Sequence, residues 1–170
     1  ESYGAVGAML AASLRPGTVL SLVVVEPPMF GIIRGNPTAD GLSTRLSQVY
    51  ATLRNAEPEE FVIAFNEAVG FEFLSVSSNP RSRQAVRTIM KERTPFDAKV
   101  PFDRLASAPF GKLVVSGGWN ETFESICNKL ARLLHAERAV IKGAGHNVAR
   151  TGKQFNDMIT SFWKSAYSSR

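Results

Sequence analysis

Glu1-Ser2-Tyr3-Gly4-Ala5-Val6-Gly7 opens the chain, and the reading of this stretch decides the fold. A serine, one residue and a glycine, running into an Ala-rich helical segment, form the latter part of G-x-S-x-G. In that motif small residues flank a sharp strand-to-helix turn that pushes a serine hydroxyl out of a sheet. The leading glycine of the motif falls one position before Glu1. The bland alternative is a serine capping a helix N-terminus, with small residues beside it for packing. The stretch alone does not choose, so the choice rests on the remaining residues of the chain.

Residues 4–14 carry Val6, Met9, Leu10 and Leu14 among Ala and Gly, a helix whose small residues let it lie close to a neighbour. Arg15-Pro16-Gly17 ends it. Thr18 to Val25 is a nearly continuous, Val-rich apolar run, as expected of a strand buried on both faces, and Glu26-Pro27-Pro28 closes it because proline has no N–H for a ladder. Strand character then disappears. Helices are expected at 39–55 (Leu42, Leu46, Val49, Tyr50, Leu53), at 58–69 (Phe61, Val62, Phe65, Val69) and at 80–93, after Ser78-Asn79-Pro80. This reads as a helical insertion. The alternation resumes with a strand at Lys112-Leu113-Val114-Val115-Ser116, a loop Gly117-Gly118-Trp119-Asn120-Glu121, and a helix with Phe123, Ile126, Cys127, Leu130, Leu133 and Leu134 on one face. A strand at Arg138-Ala139-Val140-Ile141, the turn Lys142-Gly143-Ala144-Gly145-His146 and a helix at 152–167 complete the chain. Alternating strands and helices predict an α/β fold with a mostly parallel sheet and helices on its faces.

Composition narrows the classes further. With 44% hydrophobic and 21% charged residues in 170, the chain has the makings of one good core. Part of the net charge of +5 comes from Arg81, Arg83, Arg87, Lys91 and Arg93, which have no aromatics among them; a solvated helix face is expected there, not a nucleic-acid surface. Cys127 is the only cysteine, which excludes an internal disulfide and a Cys-based metal cage, and its place on an apolar helix face points to buried packing. No apolar run reaches the roughly 18 residues of a membrane span. No ligand set for a metal or other cofactor is visible.

The order of these pieces resembles the C-terminal part of α/β-hydrolase-fold proteins, from the nucleophile elbow onward, over essentially all 170 residues. The resemblance is carried by Ser2-Tyr3-Gly4, by the strand running into Val25-Glu26-Pro27, by the helical insertion, by Val115-Ser116-Gly117-Gly118 and by Gly143-Ala144-Gly145-His146. It implies a doubly wound, mostly parallel sheet of α/β-hydrolase type with a helical cap insertion, its N-terminal strands missing from this chain. Residues 1–28 and 101–170 would form the core and 29–100 the cap or lid. A sheet lacking those strands has an unprotected apolar edge, so this segment alone is not expected to fold as a stable monomer.

Under this resemblance Ser2 is the nucleophile and His146, in its glycine turn after the last strand, the base. A serine hydroxyl needs such a neighbour to take its proton, and imidazole titrates near neutral pH. His135, without a glycine turn, reads as structural. The acid usually follows the strand that here ends at Ser116, and that position holds Asn120, which has no charge to stabilise an imidazolium. Two substitutes stay open: Glu26, at the end of the strand beside the nucleophile, where certain haloalkane dehalogenases carry their acid, and Glu121, one residue past Asn120. Glu26 is the better placed. The Tyr3 backbone N–H is the first oxyanion donor, and the second lies upstream of this sequence. Cap aromatics such as Phe30, Tyr50, Phe65, Phe71 and Phe73 would line an apolar pocket or pack a core.

The expected function is a serine hydrolase acting on an ester or similar acyl bond of a small, rather apolar substrate, with no cofactor and no metal. A non-catalytic, receptor-like binding protein on the same fold, favoured by Asn120, is the alternative; an inactive fragment needing its N-terminal half is another. The expected partners are a small-molecule substrate and the missing N-terminal part of the fold, as the same protein or a separate chain; no nucleic acid is expected. A cytoplasmic location is the default, any N-terminal signal lying outside this sequence.

Overall fold

Among the described residues three parallel strands, Ser21–Val25, Gly111–Ser116 and Glu137–Val140, lie side by side in chain order and carry the architecture. A computed structural model describes residues 1–70 and 73–168; Phe71 lies outside the described residues. The strands are β1 (Ser21–Val25), β2 (Gly111–Ser116) and β3 (Glu137–Val140), in register through Val25↔Val115 and Val115↔Ala139. Helix α1 (Tyr3–Leu14) precedes β1, and α2 (Pro37–Thr52), α3 (Pro58–Val69), α4 (Pro80–Lys91) and the short α5 (Phe102–Ala106) lie between β1 and β2. Helix α6 (Glu121–Leu134) joins β2 to β3, and α7 (Lys153–Ser168) follows.

The first compact unit comprises Glu1–Ile33 and Asp97–Arg170, the second Arg34–Phe96. The boundaries fall a few residues inside the 29–100 insertion expected from sequence. Met29 and Phe30, both buried, belong to the first unit, where Phe30 packs edge-on against Phe123 with ring centroids 6.0 Å apart.

In the first unit, Val25 of β1 and Leu113 and Val115 of β2 pack with Ile159 and Phe162 of α7. Period-two alternation turns Val24 and Val114 to the opposite face, where both are fully buried. Helix α6 packs on β2 and β3, and α1 on β1, through the Ala5, Val6, Met9 and Ala12 side that its small residues make flat. β1 begins at Ser21, not at Thr18 as the apolar run suggested. Pro16–Thr18 instead form a 3-10 turn in which Thr18 N–H donates to Arg15 O at 3.1 Å, and Leu20 is left 56% exposed.

The second unit is helical. Proline opens each of its helices at N1, where the missing N–H costs nothing. The Asn36 side chain caps α2 by accepting from the Thr38 and Ala39 amides, and Asn79 caps α4 through the Arg81 amide. Tyr50 meets Phe61, Phe65 and Phe96 edge-on, and Phe65 leans on Phe73, so these aromatics pack on one another. The basic stripe of α4 faces acids of α3 and its entry: Arg83 pairs with Glu57 and Glu59, and Arg87 with Glu57.

Cys127 lies under β2, its thiol 3.7 Å from Val115 O. Burial first, and the neighbouring Glu26 carboxylate second, push that thiol up to about 12. Raising a thiol's pKa removes the reactive thiolate at pH 8. Iodoacetamide at that pH is therefore expected to leave the native protein unmodified and to label Cys127 on unfolding in guanidinium; labelling of native protein at the unfolded rate would contradict this packing.

Candidate active site

Ser2 occupies the position before α1 without capping it. A capping serine has extended backbone angles and a side chain that accepts an amide hydrogen. Ser2 has φ 53° and ψ −131°, and its hydroxyl makes no cap bond. Such angles are costly for any residue but glycine, and they match the strained turn of a nucleophile elbow. The turn is tied down through the Ser2 N–H, which donates to Val25 O at 2.8 Å at the end of β1. Tyr3 is the first helical residue, so its N–H has no acceptor within the helix.

One residue beyond Val25, Glu26 leaves the strand at φ 47°. Its side chain is completely buried. Gly117 N–H donates to Oε1 at 2.7 Å, and the Trp119 indole N–H donates to Oε2 at 3.1 Å. The same Oε2 lies 3.2 Å from Nδ1 of His146, itself only 5% exposed. The imidazole is presented by a turn whose Gly143 and Gly145 take φ 78° and 65°, and it is flanked edge-on by Phe123 at 5.0 Å and Trp119 at 6.2 Å between ring centroids. Ser2, Glu26, Gly117 and His146 thus all sit just past or against the C-terminal ends of parallel strands, where open α/β sheets bind their ligands.

The other sequence candidates lie elsewhere. Asn120 is the N-cap of α6: its Oδ1 accepts from the Thr122 amide at 2.9 Å and from the Phe123 amide at 3.3 Å. Glu121 is exposed on the first turn of that helix. His135 ends α6 in the left-handed region at φ 50°. Among the described residues no group of three or more His, Cys, Asp or Glu side chains is placed to hold a metal ion. Sequence reasoning passed over Gly117 and Trp119. The available signal was an indole N–H in a glycine loop, since a tryptophan drawn into a fold needs an acceptor for that hydrogen.

Solved structures share this fold. NosK from Streptomyces actuosus matches 96% of this chain and 66% of its own at 20% identity, with a TM-score of 0.55. MenH from S. aureus matches 94% and 65% at 14% identity, with a TM-score of 0.59. The proline iminopeptidase of Mycobacterium smegmatis matches 98% and 64% at 16% identity, with a TM-score of 0.58. The chain has the α/β-hydrolase fold. It spans 64–66% of the length of these structures. No protein-family model matches the sequence, and no curated protein does. Among the described residues no helix is long and apolar enough to cross a membrane.

Glycine spacing is a testable requirement of the site. A Cβ on Gly117 would lie 1.9 Å from Gly145 O, so the loops after β2 and β3 meet only because that side chain is missing. Gly117→Ala is expected to lower stability by about 1–3 kcal/mol, the usual cost of forcing atoms into a packed site. Gly7, in mid-helix with nothing within 4 Å of its would-be Cβ, is the opposite case. Gly7→Ala is expected to raise stability by about 0.5–1 kcal/mol. Urea melts of the two variants beside the parent check both signs.

Proposed function

We propose that the protein is a serine hydrolase that cleaves an ester or similar acyl bond of a small, rather apolar substrate. The observation that carries this reading is the buried Glu26–His146 contact of 3.2 Å at the strand ends where Ser2 sits in its strained turn. With Nδ1 engaged by Glu26, the ring's other nitrogen, Nε2, is the base. In the first step Ser2 Oγ bonds to the substrate carbonyl carbon while its proton passes to His146 Nε2. The carbonyl oxygen takes up negative charge, and the Tyr3 N–H donates to it. The tetrahedral intermediate then collapses, and the alcohol leaves with the proton from His146. Water, deprotonated by His146, repeats the sequence on the acyl-serine and releases the acid. Glu26 orients the ring and balances the imidazolium charge. The chemistry calls for no cofactor.

In this reading Glu26 serves as the acid. Glu121 does not, and the cap role of Asn120 accounts for the residue that had favoured a non-catalytic receptor. One protein of like fold, the iminopeptidase, is a hydrolase by name.

A p-nitrophenyl ester assay on the full-length protein tests the reading. Ser2→Ala and His146→Ala are each expected to lower kcat by about a thousandfold or more, because members of such a unit fail together. Glu26→Gln should lower it by about a hundredfold or more, and Glu121→Gln should leave it within about twofold of the parent. Equal rates for Ser2→Ala and the parent would leave a binding protein as the surviving alternative. Severe loss in Glu121→Gln alone would move the acid to that residue.

A further inference from the structure

Neighbouring amides of the loop after β2 are held by two different carboxylates. Gly117 N–H donates to Glu26 Oε1 at 2.7 Å, and Gly118 N–H donates to Glu124 Oε1 at 3.0 Å. Gly118 makes this possible by taking φ 64°, which a residue with a side chain rarely adopts. Glu124 lies on the first turn of α6, and its other oxygen, Oε2, accepts from the Arg138 guanidinium of β3 at 2.7 Å. Arg138 is fixed in turn: its Nε donates to Asn128 Oδ1 at 3.0 Å, and its other nitrogens reach the Ser116 hydroxyl and the Ala139 carbonyl. The Arg138 and Glu124 side chains are only 19% and 26% exposed, so this pair is partly withdrawn from the solvent screening that makes surface pairs nearly worthless.

A link that served only to fasten α6 to β3 would be complete with Arg138 and one oxygen of Glu124. The second oxygen instead fixes the peptide next to the Gly117 amide, in the loop that also carries Trp119. Both donors to the Glu26 carboxyl group, apart from His146, come from this loop. We propose that Glu124 is a positioning residue: by accepting from Gly118 N–H it fixes the 117–119 loop so that the Gly117 amide and Trp119 indole hold Glu26 in line with His146 Nδ1. Glu124 acts through that loop and touches no reacting group. The inference rests on the hydrolase reading only where a rate is the readout.

If the loop loses this hold, Glu26 and the imidazole drift from alignment, and misplacements on the order of 1 Å cost about a hundredfold in rate. Glu124→Ala and Glu124→Gln separate this from a merely structural role. The glutamine keeps an oxygen for Gly118 N–H and gives up the charge; the alanine loses both. In the full-length protein, Glu124→Ala is expected to lower kcat on a p-nitrophenyl ester by about tenfold or more with KM within about twofold, while Glu124→Gln stays within about threefold of the parent. A second readout needs no activity. In nitrogen-15 histidine-labelled protein, with the His146 signal assigned as the one lost in His146→Ala, the His146 Nδ1 shift should move in Glu124→Ala and return in Glu124→Gln.

Parent-like kcat together with a parent-like His146 shift in Glu124→Ala overturns the proposal. So does a glutamine variant as impaired as the alanine, since the pair's charge would then matter and not the aim of the Gly118 amide. If Ser2→Ala proves as fast as the parent, the hydrolase reading falls by itself and the His146 shift alone decides this one. If Glu124→Ala loses its cooperative melt, Glu124→Asp replaces it: a carboxylate one methylene too short to reach Gly118 N–H. It is expected to give the same losses, and parent-like values overturn the proposal.

Discussion

A carboxyl group without access to water sits where three parallel strands end, and the rest of the site is arranged to satisfy it. Burying such a group unbonded costs several kcal/mol, by the order of magnitude for polar groups moved out of water (roughly 2–7 kcal/mol). Glu26 escapes that cost through an amide, an indole and an imidazole. These partners lie far along the chain, on the loops after β2 and β3. The register makes them neighbours: Val25 beside Val115, and Val115 beside Ala139. The Glu26 amide adds a bond of 3.1 Å to Val115 O, so the backbone that aims the carboxyl group is itself part of the ladder's end. The Glu26 interactions therefore tie the three strands together at one end of the sheet.

That constraint reaches into the loops. Among the described residues, two of the three non-glycine residues at positive φ, Ser2 and Glu26, lie at the end of β1, joined through the bond between the Ser2 amide and Val25. Each such conformation costs on the order of 1–3 kcal/mol and persists only where its surroundings determine it. The hydrogen bonds to Glu26, each worth on the order of 1 kcal/mol, offset such a cost. The absence of a side chain at Gly117 lets the loop after β3 close to backbone contact, which brings His146 within reach. Trp119 then has two duties, a hydrogen bond to Glu26 and a ring packed 5.5 Å from that of Phe123, and the pair borders the imidazole. Little in this arrangement is free to rotate.

Much of the fold was legible because it is written in local terms. Apolar spacing gave the helices that became α3 and α6, a proline marked the start of α4, and Val-rich runs marked β1 and β2. Local rules also failed locally: Thr18 to Leu20 look like strand, yet the turn beginning at Pro16 holds the Thr18 amide, and pairing starts only opposite Gly111. The short α5 lacked the length for any periodic signal. At the site, the elbow serine and the glycine-turn histidine were visible as motifs. The positive φ of Glu26, the amide of Gly117 and the indole of Trp119 were not, because each depends on how β1 lies against β2. Asn120 has a role that local rules do reach. Asparagine is a strong helix cap, and its neighbours Glu121 and Glu124 place acids in the first turn, so the capping role was open to view beside the missing acid.

The geometry also explains why the buried carboxyl group is a glutamate. Neighbouring strands lie roughly 4.8 Å apart, so a group leaving β1 must work across a gap on the order of 10 Å to meet one leaving β3. The histidine supplies part of that reach and the loop after β2 narrows it, but the side chain from β1 must still pass over the end of β2, where Gly117 donates to it. An acid after β2 would start one strand nearer and manage with the shorter aspartate. A carboxyl group that leaves β1 and meets the imidazole past β3 therefore demands the extra methylene. The loop after β2 instead carries Asn120, which caps the start of α6.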